Sequence, residues 1–200
     1  MSRKRSTCPP RKKRLACWRV LDERLVYSAG PWFNLVRQRV ELPDGRVIPD
    51  YHEIRFPEYV TIVARTPERR FLMLRKYNHG FRKVCFIFPG GMRHEHETPR
   101  QAAARELLEE TGCKAGRWTC LGHFTPHSNY GCGRSHLYLA EDCRPVAAPA
   151  SGDLEEIEVH ALPARQAYEC MRRGQNPSLS CMAAFLLARE HLRSRAGRAQ

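Results

Sequence analysis

The chain has 200 residues, 42% of them hydrophobic, and a formal charge of +13, a size and composition that suit one cored domain with attachments. No apolar run reaches the roughly 18 residues that a membrane span needs. The basic N-terminus has no apolar segment behind it, so neither a spanning helix nor a secretory signal is expected. The nine cysteines are odd in number and contain no Cys-x-x-Cys pair, which points to reduced thiols and a cytoplasmic setting.

The charge is concentrated at the ends. Residues 1–14 hold seven Lys or Arg and no acid, and the last twelve hold four Arg and one Glu. Without these ends the remainder carries only +3. Residues 1–16 and 195–200 are therefore expected to be disordered tails. The N-terminal one has the charge to touch nucleic acid, but no aromatic interrupts its basic run to stack on bases. A solvated terminus is the preferred expectation.

Residues 17–56 form a first region. Leu21 to Phe56 alternates as strands do, and Leu42-Pro43-Asp44-Gly45 marks a hairpin turn. Trp32, Phe33, Val36 and Val40 on one arm, and Val47, Tyr51 and Ile54 on the other, suit a core or a partner. Residues 57–194 form the second region. Tyr59 to Ala64 and Phe71 to Leu74 read as apolar strands joined by a polar turn. Lys83 to Phe88 is another, ended by Pro89.

Gly90 to Cys113 is a loop that becomes a helix. Thr98 is a natural N-cap, Pro99 fits the first helical position, Gln101 completes a capping box and Gly112 stops the helix. At about 100° per residue, Ala103, Ala104, Leu107 and Leu108 form a core stripe. Glu106, Glu109 and Glu110 gather on the other side. Most charge runs are solvated surface. Here, however, three carboxylates at i, i+3 and i+4 repel one another near the helix C-terminus, where the dipole favours cations. An oxygen-only cluster of this kind suits a hard divalent cation.

After the helix, Trp118 to Phe124 and Ser135 to Ala140 read as strands around a mobile loop, Asn129 to Gly133. Glu156 to Leu162 is one more strand. Helices over Ala164 to Arg173 and Ser178 to Arg193 close the chain. His94, His96, His123, His127, His136 and Cys132 lack zinc-ligand spacing, and a zinc site is not favoured. The expected fold class is α/β, with helices on either side of a mixed sheet and an antiparallel N-terminal β region.

The spacing Gly91, five residues, Glu97, seven residues, Arg105-Glu106-Leu107-Leu108-Glu109-Glu110-Thr111-Gly112-Cys113 resembles the Nudix box. A chance match is on the order of one in 10⁸ per start position. Cys113 replaces the final aliphatic residue, and His96 stands where a Gly often precedes the first Glu. The flanks LPDGRVIPDYHEI, LRKYNHG, SHLYLA and LEEIEVHALP resemble the ADP-ribose pyrophosphatase branch. Asn78 departs from the Arg common there. Ser128 departs from the branch's Pro, which this chain has at position 126.

The resemblance implies a Nudix-type α/β/α sandwich and hydrolysis of a pyrophosphate joined to a nucleoside, most naturally ADP-ribose to AMP and ribose 5-phosphate. It implies Mg²⁺, with Mn²⁺ as an alternative, held by Glu106, Glu109, Glu110, Glu97 and the Gly90 carbonyl. Arg105 would hold Glu97 and the box loop in register, and Glu155 or Glu156 would help deprotonate water. In this branch the N-terminal sheet packs across a two-fold axis. The implied partner is thus a second copy in a homodimer, with Trp32 or Tyr51 near the base, Arg55 near a phosphate or ribose, and Tyr77 facing the site. Other nucleoside diphosphate sugars, RNA 5′ ends, and a non-catalytic nucleotide-binding regulator are the alternatives.

Overall fold

A computed structural model describes residues 15–152 and 156–198. The expectations for the basic stretch 1–14 and for Glu155 fall outside those residues.

The N-terminal region is an antiparallel three-stranded sheet, β1 (Arg19–Ala29), β2 (Phe33–Glu41) and β3 (Val47–Arg55), in that spatial order. The β2–β3 turn is closed by Gly45 N–H donating to the Leu42 carbonyl, with Gly45 at φ 86°. Of the expected apolar positions, Val36 and Val40 are buried, whereas Trp32 is 61% exposed and Val47 is also exposed. Trp32 is thus outside the monomer core, whereas Phe33 packs against Tyr27 and Phe56 with ring centroids 5.8 Å apart in each pair.

The central sheet is mixed. β4 (Tyr59–Arg65) runs antiparallel to β5 (Phe71–Asn78) and parallel to β9 (Ser135–Glu141). β6 (Lys83–Ile87) pairs with the second half of β5, β8 (Arg117–Phe124) lies outside β9, and β11 (Glu158–Leu162) lies outside β5. Two short strands, β7 (Cys113–Lys114) and β10 (Arg144–Pro145), pair beyond the end of α1. β5 is longer than its apolar run predicts, because pairing with β6 carries it through polar Arg75–Asn78.

Strand alternation divides the core in two. Val63, Phe71, Met73, Leu137 and Leu139 turn toward α2 (Ala164–Arg172) and α3 (Leu179–Arg198), where they pack on Ala184, Phe185 and Ala188. Val60, Ile62, Ala64, Leu72 and Tyr138 meet Ala102, Ala103 and Leu107 of α1 (Pro99–Thr111). The result is the α/β/α sandwich expected from sequence. Each fully buried large side chain contributes about 1.5–3 kcal/mol.

Two expectations need correction. The C-terminal tail drawn from residue 195 is helical, since α3 continues through Arg198 and Arg195 is anchored 2.7 Å from Glu141. The loop 129–133 is tied to β3 rather than free. Tyr51 Oη donates to the Asn129 carbonyl, Ile54 N–H to Tyr130 and Cys132 N–H to Ile54, the backbone pair each at 2.9 Å.

Candidate active site

The site grows from the start of α1. Thr98 Oγ1 accepts from Gln101 N at 3.2 Å while Gln101 Oε1 accepts from Thr98 N at 2.8 Å, a reciprocal capping box,. Pro99 occupies the first turn, and Gly112 ends the helix at φ 67°. A side chain at 112 would sit 2.1 Å from the Ala147 carbonyl oxygen. The helix is thus locked at both ends before it presents any chemistry.

Its buried face differs from the expected stripe. Ala102, Ala103 and Leu107 are buried, but the remaining buried positions are Glu110 and Thr111 rather than Ala104 and Leu108. A carboxylate tolerates this only when paired. Glu110 is 3% exposed, and its Oε2 accepts the Gly90 N–H at 2.7 Å while its Oε1 lies 3.6 Å from Lys76 Nζ.

Arg105 gathers the rest of the acidic set. It donates to Glu97 at 2.7 and 3.0 Å, to Glu106 at 2.8 Å and to Glu109 at 3.0 Å, and it also binds the Met92 carbonyl at 2.9 Å. The hydrogen bond from Arg105 is the main reason the Glu97 carboxyl is held down at about 2,. The same bond, with those to Glu106 and Glu109, raises Arg105 above its ordinary value. Its fork is used on both edges, a task for which Lys is no substitute.

The two glycines before the helix are required by space. A Cβ on Gly90 would lie 2.2 Å from the Val60 carbonyl oxygen, and one on Gly91 would lie 2.3 Å from Glu106 Oε1. Val60 and Ile62 donate to the carbonyls of Gly91 and Pro89, which fixes the loop against β4. Among the described residues, no three His, Cys, Asp or Glu side chains are already gathered around a metal position. The donor set is nonetheless the right chemistry for a hard cation, with oxygen donors brought beside one another and Gly91 leaving room for the Glu106 carboxylate.

A second cluster, not anticipated from sequence, holds the loop leading into α1. Glu58 Oε2 accepts from Arg93 Nε at 2.9 Å and lies 3.1 Å from His136 Nε2, and Arg93 reaches on to the Glu97 carbonyl at 2.8 Å. Burial alone would push the Glu58 carboxyl up, but His136 and Arg93 outweigh it and hold it down. The other missed residue is Lys76. Extending the period-2 alternation of β5 past Leu72 and Leu74 puts it on the α1 face, so the signal was present.

The remaining candidates divide into two groups. Tyr77 and Glu156 line one cavity of about 360 Å³ with Arg75, Lys76, Val84 and Glu158, beside Glu110 through Lys76. Trp32, Tyr51 and Arg55 belong to the N-terminal sheet. Tyr51 packs edge-on against Trp18, and Arg55 is held by Glu23 at 3.0 and 2.7 Å and by Glu53 at 2.9 Å. Tyr77 Oη lies 3.2 Å from His79 Nδ1.

The NUDIX domain model matches residues 55–180, and a model described as the nucleoside diphosphate sugar hydrolase N-terminal domain matches 18–52. The chain belongs to the Nudix family. Among its relatives is the CMP-5′-(N-acetyl-N-hydroxy-3-aminopropyl)phosphonate hydrolase of Streptomyces rubellomurinus, 30% identical over 79% of this chain and 75% of that protein. The ADP-ribose pyrophosphatase of Bacillus subtilis is 28% identical over 64% of this chain and 69% of its own. That of Mycobacterium tuberculosis is 30% identical over 60% of this chain, and the match spans 58% of its own length. A solved structure titled ADP compounds hydrolase superposes with a TM-score of 0.80 at 22% identity, over 92% of this chain and 98% of that one. The protein is a Nudix hydrolase of the ADP-ribose pyrophosphatase-like kind, with the family's fold, and the Nudix family generally works with a divalent metal.

Proposed function

We propose that this Nudix hydrolase cleaves the pyrophosphate of a nucleoside diphosphate derivative, ADP-ribose to AMP and ribose 5-phosphate, with Mg²⁺ or Mn²⁺ as cofactor. The observation that carries the reading is the convergence of Glu97, Glu106 and Glu109 on Arg105, with Glu110 fixed beside them by Gly90. The names of the Bacillus and Mycobacterium relatives, both ADP-ribose pyrophosphatases, support ADP-ribose as the substrate.

Glu106, Glu109 and Glu110, with the Gly90 carbonyl, would hold the cation, and Glu97 supports them through Arg105. A cation held there would supply charge neutralisation for the diphosphate and activation of the attacking water. Arg105 keeps the carboxylates aimed, which is a positioning task. Glu156 stands at the rim of the cavity beside Lys76 and Tyr77, where a carboxylate can accept the water's proton. That cavity accommodates the phosphates and the leaving sugar.

Assembly as a homodimer is part of the proposal. β1 carries Leu25, Val26 and Tyr27, each more than half exposed, and Trp32 follows at the β1–β2 turn. Such a patch on a sheet edge suits a second copy. Trp32 and Tyr51 would then meet the base across the boundary. Arg55 is already engaged by two carboxylates, so its phosphate contact would have to displace them.

The name of the Streptomyces relative favours a second reading, a CMP-linked substrate. A panel of ADP-ribose, other nucleoside diphosphate sugars, a CMP-linked phosphonate and triphosphate-ended RNA, assayed with Mg²⁺ for released nucleotide, separates them. The proposal expects the highest kcat/KM for ADP-ribose. A preference of tenfold or more for the CMP compound or the RNA would replace it.

A further inference from the structure

Lys76 is a largely shielded cation placed against a buried carboxylate. On β5, Leu72, Leu74 and Lys76 alternate onto the face that meets α1, and the first two are core residues. The Lys76 side chain is 13% exposed, that of Glu110 is 3% exposed, and Nζ lies 3.6 Å from Oε1. The other oxygen, Oε2, is committed to the Gly90 N–H at 2.7 Å. The Glu110 oxygen facing Lys76 is thus the one through which this residue would meet a cation.

Two cations cannot share that oxygen without repelling each other in a poorly solvated place. A divalent ion seated on Oε1 would have to push the ammonium away. The four-carbon stem of lysine lets it swing, and the cavity of about 360 Å³ that it lines with Arg75, Tyr77 and Glu156 opens beside it. A diphosphate in that cavity would receive the displaced ammonium.

We propose that Lys76 is a resident counter-ion for Glu110. It occupies the carboxylate in the absence of metal and transfers to the diphosphate oxygens when cation and substrate bind together. Cation and substrate then bind with positive cooperativity, each tightening the other by the same factor. The inference rests on Glu106, Glu109 and Glu110 being the cation-binding face.

Equilibrium binding of Mn²⁺, followed by the loss of its free-ion electron-spin signal, tests this without turnover. The titration is run on the full chain alone and with a methylene-bridged ADP-ribose analogue that cannot be cleaved. For the natural protein we expect the analogue to tighten Mn²⁺ binding about tenfold or more. Lys76→Gln should bind Mn²⁺ about tenfold more tightly without the analogue and should lose most of the added effect. Lys76→Arg should behave as the natural protein does, and Lys76→Met reports the same quantity should the Gln variant fold poorly. A variant with native melting temperature that binds Mn²⁺ no tighter than the natural protein would overturn the inference. Glu106→Gln is the control on the underlying reading. If Mn²⁺ binding is undiminished in it, the cation is not on this face and the functional assignment falls as well.

Discussion

At the residue scale, the site depends on an absent side chain. Gly91 has no Cβ, and the space is taken by the Glu106 carboxylate 2.3 Å from where that atom would be. Gly91→Ala should leave the circular dichroism spectrum intact, because the obstacle is a movable side-chain end and not backbone. Its kcat should fall by about 10²–10³, the cost of misplacing one charge-stabilising group. Retention of more than half the activity would show that the position of Glu106 is not critical. Glu97 makes a second prediction, through acid stability. Its carboxyl sits at about 2 in the folded chain against an ordinary 4.5, chiefly because Arg105 donates to it. A depressed carboxyl stabilises the fold above its unfolded value, and that stabilisation is lost as pH falls through the folded one. Melting temperature should therefore drop between pH 4.5 and 2 less steeply in Glu97→Gln than in the natural protein. Parallel curves would contradict the Arg105 pairing. The spacing marked the four glutamates and Arg105 as one set, and the structure gathers Glu97, Glu106 and Glu109 on Arg105. The Glu58–Arg93–His136 cluster was not legible, because residues far apart in the chain meet only once the sheet order is known, and Lys76 was missed although its alternation with Leu72 and Leu74 pointed to the α1 face.

At the element scale, what sequence conveyed best was local. The capping box and Gly112 mark the ends of α1 with residues whose roles do not depend on distant partners. The buried stripe of α1 was misjudged because Glu110 is accommodated inside with Gly90 and Lys76 as partners, one in the loop before the helix and the other on β5. The length of α3 was underestimated for a related reason. Its last turns are held by Arg195 reaching Glu141 on β9. Glu141 also binds Arg117 of β8 at 3.0 Å and stands 3.6 Å from Arg65 of β4, so one carboxylate joins three strands and a helix. Burial raises its carboxyl, and Arg117 and Arg195 more than offset this. Glu141→Gln should cost about 1–3 kcal/mol in urea unfolding, toward the lower figure because Arg117 and Arg195 are nearly half exposed,. A change below about 0.3 kcal/mol would show that solvent replaces these pairs freely.

At the scale of the whole molecule, the chain is a catalytic sandwich with a second sheet whose edge strand β1 leaves Leu25, Val26 and Tyr27 exposed. Leu25 is 56% exposed on β1. Leu25→Asp should halve the mass seen by light scattering at micromolar concentration, because a buried unpaired charge opposes association. An unchanged mass, or a natural protein that is already monomeric, would remove the dimer from the account. The central claim concerns the acidic face of α1, and one comparison addresses it most directly: release of AMP from ADP-ribose in Mg²⁺ by the natural protein and by Glu110→Gln. The account predicts stoichiometric AMP and ribose 5-phosphate from the natural protein and a kcat lower by about 10²–10⁴ in the variant, with the fold retained. Undiminished turnover in the variant, or no cleavage of any nucleoside diphosphate derivative by the natural protein, would contradict it.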